Sequence, residues 1–349
     1  MVETRSPIRM LLTATVVGAV VVAVGLAACG QPSPPASAPS GADTPSPAGT
    51  RVASAASPAD WVPGSLTPSP RIVVARSAIR LPTGRSRAVA LALGSGVLLC
   101  GGLTSAGTTG SILGLNLGTG HVQQLGFLST AVHDAGGAIL DGAGYVFGGG
   151  RTVAGTTIQR ITSTGTASAV GHLPGVRADL AAAAVGGEIV IVGGGTPALT
   201  DGRVLATADG HDLRTIGRLI VPVRYPAVAV FNGLVYVIGG ATPRGDTNVI
   251  QALDPATGLV RIVGRLPHPL SHASALVIGT TILVAGGRAA GRAQNQLLRL
   301  VPATGAVSIV GRLPAPVSDM AAVVVGGVGY LIGGETTSPI ASIVTISIQ

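Results

Sequence analysis

Residues 218–264 read RLIVPVRYPAVAVFNGLVYVIGGATPRGDTNVIQALDPATGLVRIVG. Four apolar runs of strand length, 225–231, 234–238, 248–253 and 259–263, are broken by turn signals, which is the pattern of a four-stranded antiparallel sheet. Asn232-Gly233 joins the first two runs and supplies the two positive φ angles of a type I′ hairpin turn. Asp254-Pro255-Ala256-Thr257-Gly258 joins the last two: proline presets φ, and glycine accepts a left-handed conformation. The pair Gly239-Gly240 ends the second run.

This unit recurs six times. Glycine pairs begin at Gly101, Gly148, Gly193, Gly239, Gly286 and Gly333, at intervals of 47, 45, 46, 47 and 47 residues. Leu81, Leu128, Leu173, Leu219, Leu266 and Leu313 keep the same beat. Hairpin signals equivalent to Asn232-Gly233 stand at Asp141-Gly142, Gly186-Gly187 and Gly326-Gly327, with looser ones at Gly94 and Gly279-Thr280. A four-strand repeat of this period implies a β-propeller. The first runs are rich in Ala, Val and Gly, as in Ala181-Ala182-Ala183-Ala184, which suits strands crowded around an axis. The sixth copy stops after a third strand, 342–348, and residues 71–78 form an orphan strand before the first repeat. The fold expected is all-β: a six-bladed propeller over 71–349, whose N-terminal strand completes the last blade and removes an open seam.

The glycine pairs, the period near 47 and the hairpin turns resemble kelch-type β-propellers. The chain departs from the kelch pattern where tyrosine and tryptophan usually follow the glycines: Val and Ile stand there instead. In propellers of this kind the start of the innermost strand contributes to partner binding. Some six-bladed relatives are sugar mutarotases, so the resemblance also implies a sugar-processing enzyme as an alternative. Only 2% of the residues are aromatic, which is poor material for sugar platforms. The Cys and Tyr cluster of kelch-based copper oxidases is absent.

Ahead of the repeats, Arg5 and Arg9 precede the apolar stretch 10–28, which has the layout of an export signal. Leu26-Ala27-Ala28-Cys29 resembles a bacterial lipobox. This implies a signal peptide over 1–28, lipidation at Cys29 and a cell-membrane protein anchored by lipid outside the cytoplasm. The other reading is an uncleaved transmembrane anchor, since 19 residues at helical rise span about 28 Å. Residues 29–70 are Pro, Ser, Ala, Thr and Gly with few large apolar side chains, the composition of a disordered tether. Trp61, the one tryptophan, lies in it.

The formal charge of +8 comes from arginine alone. With no arginine run and few aromatics to stack bases, nucleic-acid binding is not expected. No disulfide framework, cofactor or catalytic signature is found in the sequence, and a monomer is expected. Arg87, Asp134, Asp179, Tyr225, His272 and Asp319 each stand fourteen residues before a glycine pair. Repeat symmetry puts all six in one ring at a mouth of the channel. They are the candidate ligand-binding residues for an unknown protein or polar ligand, the alternative being a plain solvated rim. Equivalent positions on neighbouring blades are expected to lie too far apart for the six residues to close on one metal ion. The adjacent pairs His133-Asp134 and Ser318-Asp319, if extended, would point to opposite faces and form no dyad. A second set, Arg80, His172, Arg218, Arg265 and Arg312, precedes the repeated leucine and is expected to add positive charge to the same face.

Overall fold

The structure, a computed structural model, describes residues 71–94, 96–150 and 155–349. The expected signal segment, the expected lipidation site Cys29, the expected tether and Trp61 lie outside the described residues. Six four-stranded antiparallel sheets follow one another as blades, so the chain is a six-bladed β-propeller. Blade four is typical, with strands Ala227–Phe231, Leu234–Ile238, Val249–Leu253 and Val260–Arg265 in that order from the axis outward. In the sixth sheet Ala321–Val325, Val328–Ile332 and Ser342–Ile348 are joined by the N-terminal strand Ile72–Arg80 as the outermost member, which is the expected closure.

The core lies between the blades. Six apolar clusters alternate with the six sheets, each shared by two neighbours, because a blade buries both of its faces. The second strands show it best. Val235 and Val237 face blade three, and Tyr236 and Ile238 face blade five. A strand sandwiched in this way reads as an unbroken apolar run. Each fully buried aliphatic side chain contributes about 1.5 to 3 kcal/mol. The six repeated leucines, Leu81 to Leu313, are all buried.

The hairpin turns form as read: Asn232 and Gly233 have φ of 49° and 76°, and Asp141 and Gly142 follow suit. The glycine pair has a further use. Gly101 turns the chain at φ 62°, and a Cβ there would lie 2.5 Å from the carbonyl oxygen of Val132, in the connection to the next blade. This close approach lets the N–H of Gly102 donate to that same carbonyl at 2.8 Å. All six pairs repeat the bond, and the last runs from Gly334 back to Arg85, closing the circle. The most repetitive phrase of the sequence is therefore a blade-to-blade clasp.

Candidate functional site: the channel mouth

First strands begin, second strands end and fourth strands end at one face, which carries the mouth. The exposed Arg80, His172, Arg218, Arg265 and Arg312 stand at the outer strand ends on this face. The six ring candidates meet at its centre and share one cavity of about 110 Å³, lined also by the small or apolar residues that follow them.

All six are left-handed. Arg87, Asp134, Asp179, Tyr225, His272 and Asp319 have φ between 51° and 59°, in a region that residues other than glycine rarely enter. The reason is visible in the backbone. The N–H of each donates to the C=O of its counterpart one blade earlier: Asp134 to Arg87 at 3.1 Å, Asp179 to Asp134 at 2.8 Å, and so on around to Arg87, which donates to Asp319 at 2.9 Å. The positive φ turns the amide toward one neighbour and the carbonyl toward the other. Six hydrogen bonds thus close a belt around the axis and floor the mouth.

This geometry corrects two expectations. Neighbouring ring positions touch, since their backbones are hydrogen-bonded. Among the described residues, all the same, no group of three or more His, Cys, Asp or Glu side chains could hold a metal ion. The adjacent pairs do meet, because the chain is not extended there: Ser318 Oγ donates to Asp319 Oδ2 at 2.6 Å, and His133 Nε2 lies 3.7 Å from Asp134 Oδ2. Nor is the ring an exposed rim. Asp179 and Asp319 are buried, and the other four are half-buried.

Three residues not singled out from the sequence complete the mouth. Arg224 pairs with Asp179, its Nε donating to Oδ2 at 2.5 Å. Arg288 lies 2.9 Å from Glu335 and 3.2 Å from Asp319. Glu335 also lies 3.3 Å from Arg87, which reaches Asp134 at 3.1 Å. The signal was there: Arg288 and Glu335 directly follow glycine pairs, and Arg224 directly precedes a ring residue. Isolated bridges such as Ser318 with Glu335 and Ser271 with Arg288 bring these two positions together.

Four carboxylates thus meet three guanidiniums. The arginine side chains are 19–26% exposed and the ring aspartates 3–8%, so the arginines face solvent over a carboxylate layer. Burial pushes the Asp134 carboxyl up to about 7, with Arg87 opposing and Asp179 and Asp319 assisting. Burial also raises Asp179 and Asp319 in spite of their arginines. Glu335 goes down, because Arg87 and Arg288 outweigh its burial. His272 is pushed down to about 3 by burial and by Arg288 and Arg87, so it is neutral at pH 7. Its ring stacks on Tyr225 with centroids 3.7 Å apart, and the Arg224 guanidinium lies 5.2 Å from the Tyr225 ring centre.

No family profile matches the chain, and no curated protein matches its sequence. Solved structures do match, 731 chains of them, as suits a widely used fold. One, titled "Structure of YjhT", superposes with a TM-score of 0.68 at 14% identity, covering 78% of this chain and 100% of its own. At that identity the likeness is one of fold, and what the two chains share is the β-propeller.

Proposed function

We propose that the protein is a lipid-anchored, extracytoplasmic propeller of kelch type that works as a non-enzymatic interaction platform, capturing a protein or polar ligand at its mouth. The observation that supports this is the shape of the mouth: six blades bring charged and aromatic side chains to one shallow depression, floored by the backbone belt. Its cavity of about 110 Å³ is well below the several hundred Å³ of small-molecule pockets. The groups in it are already paired with one another, so they offer a patterned surface rather than a free nucleophile. Tyr225 and His272, stacked and half-exposed, are the natural anchor, since aromatic residues dominate interface energetics. The test is capture from native membranes by the intact protein and by Tyr225→Ala/His272→Ala. Loss of the captured species with unchanged membrane attachment is expected; undiminished capture overturns the mouth as the site.

One observation favours a second reading, a sugar mutarotase-like enzyme. A carboxyl near pH 7 beside Arg87 has the proton affinity of a general acid. Magnetization-transfer NMR on reducing sugars would show anomer interconversion accelerated by the protein and abolished by Asp134→Asn if this reading holds. The platform reading expects no acceleration.

A further inference from the structure

The repeats serve as controls for one another, and blade six differs from the rest. In blade two the carboxamide of Gln159, on the third strand, clamps the connection from the previous blade: Oε1 accepts from Thr130 N–H at 2.9 Å and Nε2 donates to Thr130 C=O at 3.0 Å. Blade four repeats this, with Gln251 holding the N–H and C=O of Val221, both at 2.9 Å. In blades one, three and five a buried leucine stands at the same strand position: Leu113, Leu205 and Leu298. In blade six the position falls to Val344, which is smaller, half-buried and unable to hydrogen-bond. The connection residue matching Thr130 and Val221, two places after the repeated leucine, is Ala315.

Between Val344 and Ala315 lies a cleft of about 410 Å³ walled by Leu313 and Ile340. Its rim is cationic. The N-terminal strand loses register between Arg76, opposite Val344, and Arg80, opposite Ser342, and both arginines line the cleft. Both are exposed, and neither makes an ion pair among the described residues. The cleft therefore joins an apolar wall, an unclamped backbone amide and two unpaired guanidiniums.

We propose that this cleft, outside the mouth, docks an extended acidic segment of a partner protein. An apolar side chain enters between Leu313 and Ile340. A peptide group of the partner sets its C=O and N–H against the N–H and C=O of Ala315, as the glutamine carboxamides do in blades two and four. A neighbouring carboxylate meets Arg76 and Arg80, a geometry guanidinium groups are suited to.

The test uses the full-length protein in detergent and a fluorescent, end-blocked hexapeptide of alternating leucine and glutamate, with a leucine–lysine peptide as control. Saturable binding of the acidic peptide alone is expected. Val344→Gln, which installs the clamp of blades two and four, should weaken it at least about tenfold, and Val344→Leu, which copies blades one, three and five, should do the same should the glutamine variant fold poorly. Arg76→Ala/Arg80→Ala should weaken it and flatten its salt dependence. The proposal is overturned by no saturation up to about millimolar peptide, by equal binding of the lysine peptide, by affinity unchanged in the folded Val344 variants, or by arginine-dependent binding to anionic vesicles but not to the peptide.

Discussion

The N–H of Arg87 donates to the carbonyl of Asp319 at 2.9 Å, so the first blade hangs from the last by the same bond that links every other neighbouring pair. No seam is visible at the mouth. At the outer edge closure depends instead on the strand Ile72–Arg80, which supplies Ile72, Val74 and Ile79 to the clusters on either side of blade six.

Deleting residues 72–80 should therefore destabilise the whole propeller and not the sixth blade alone. It uncovers Ser342–Ile348 as a bare edge, which invites aggregation. Thermal unfolding with light scattering checks this; an unchanged melting temperature and a monodisperse deletion variant would refute it.

Two glycines separate clasp from turn. Gly333 and Gly327 both have positive φ, yet a Cβ on Gly333 would collide with the Arg85 carbonyl oxygen, whereas one on Gly327 would meet nothing within 4 Å. Gly327→Ala should cost about 1 to 2 kcal/mol, the left-handed penalty alone. Gly333→Ala should cost clearly more, about 3 kcal/mol or above, because it also opens the bond from Gly334. Denaturant titration of both variants decides, and equal losses would mean that the clasp adds nothing.

The ring aspartates hold structure as well as surface. Asp179→Ala leaves Arg224 without its counter-charge in a half-buried place, and a loss of about 2 kcal/mol is expected. A change below about 0.5 kcal/mol in chemical unfolding would return Asp179 to the class of neutral rim residues.

The mouth also makes stability depend on pH in two opposed ways. Asp134 has a folded pKa of about 7 against an ordinary value near 3.8, so between these limits the unfolded chain holds fewer protons, and stability falls as pH rises. His272 is depressed to about 3 from 6.5, so in that window the unfolded chain holds more protons, and stability rises with pH. The two contributions oppose each other from about pH 4 to 6.5. Asp134→Asn removes the falling part, and its melting temperature should climb more steeply with pH over that window than the parent's. Parallel profiles would show that Asp134 titrates normally.

The blade count, the hairpins and the closing strand were legible because each rests on a local signal repeated at a fixed interval. Glycine pairs and Asn-Gly turns mean the same thing in every copy. The ring positions were legible for the same reason. Their conformation was not, since Tyr225 and Arg87 carry no glycine-like signal, and only the belt, whose bonds join residues one repeat apart and, between Arg87 and Asp319, the two ends of the array, requires the left-handed turn. Once the chain bends there, strand alternation no longer predicts where His133 or Ser318 points. Arg224, Arg288 and Glu335 were missed because the residue type at those two repeat positions varies from copy to copy, and the contact of Glu335 with Arg87 also depends on closure of the circle.

Arg71 and Gln349 exchange two backbone hydrogen bonds, each 2.9 Å long, at the end of blade six remote from the mouth. The propeller's two ends are thus already in contact, and which blade comes first is a matter of where the chain was cut. A circular permutant, joined by a short linker across Arg71 and Gln349 and opened at the unobstructed turn Gly326-Gly327, would keep every strand pair. It would also bring new termini to that turn and move the seam inward within the same blade, so that the innermost strand Ala321–Val325, and no longer the outermost Ile72–Arg80, is the one borrowed from the far end of the chain.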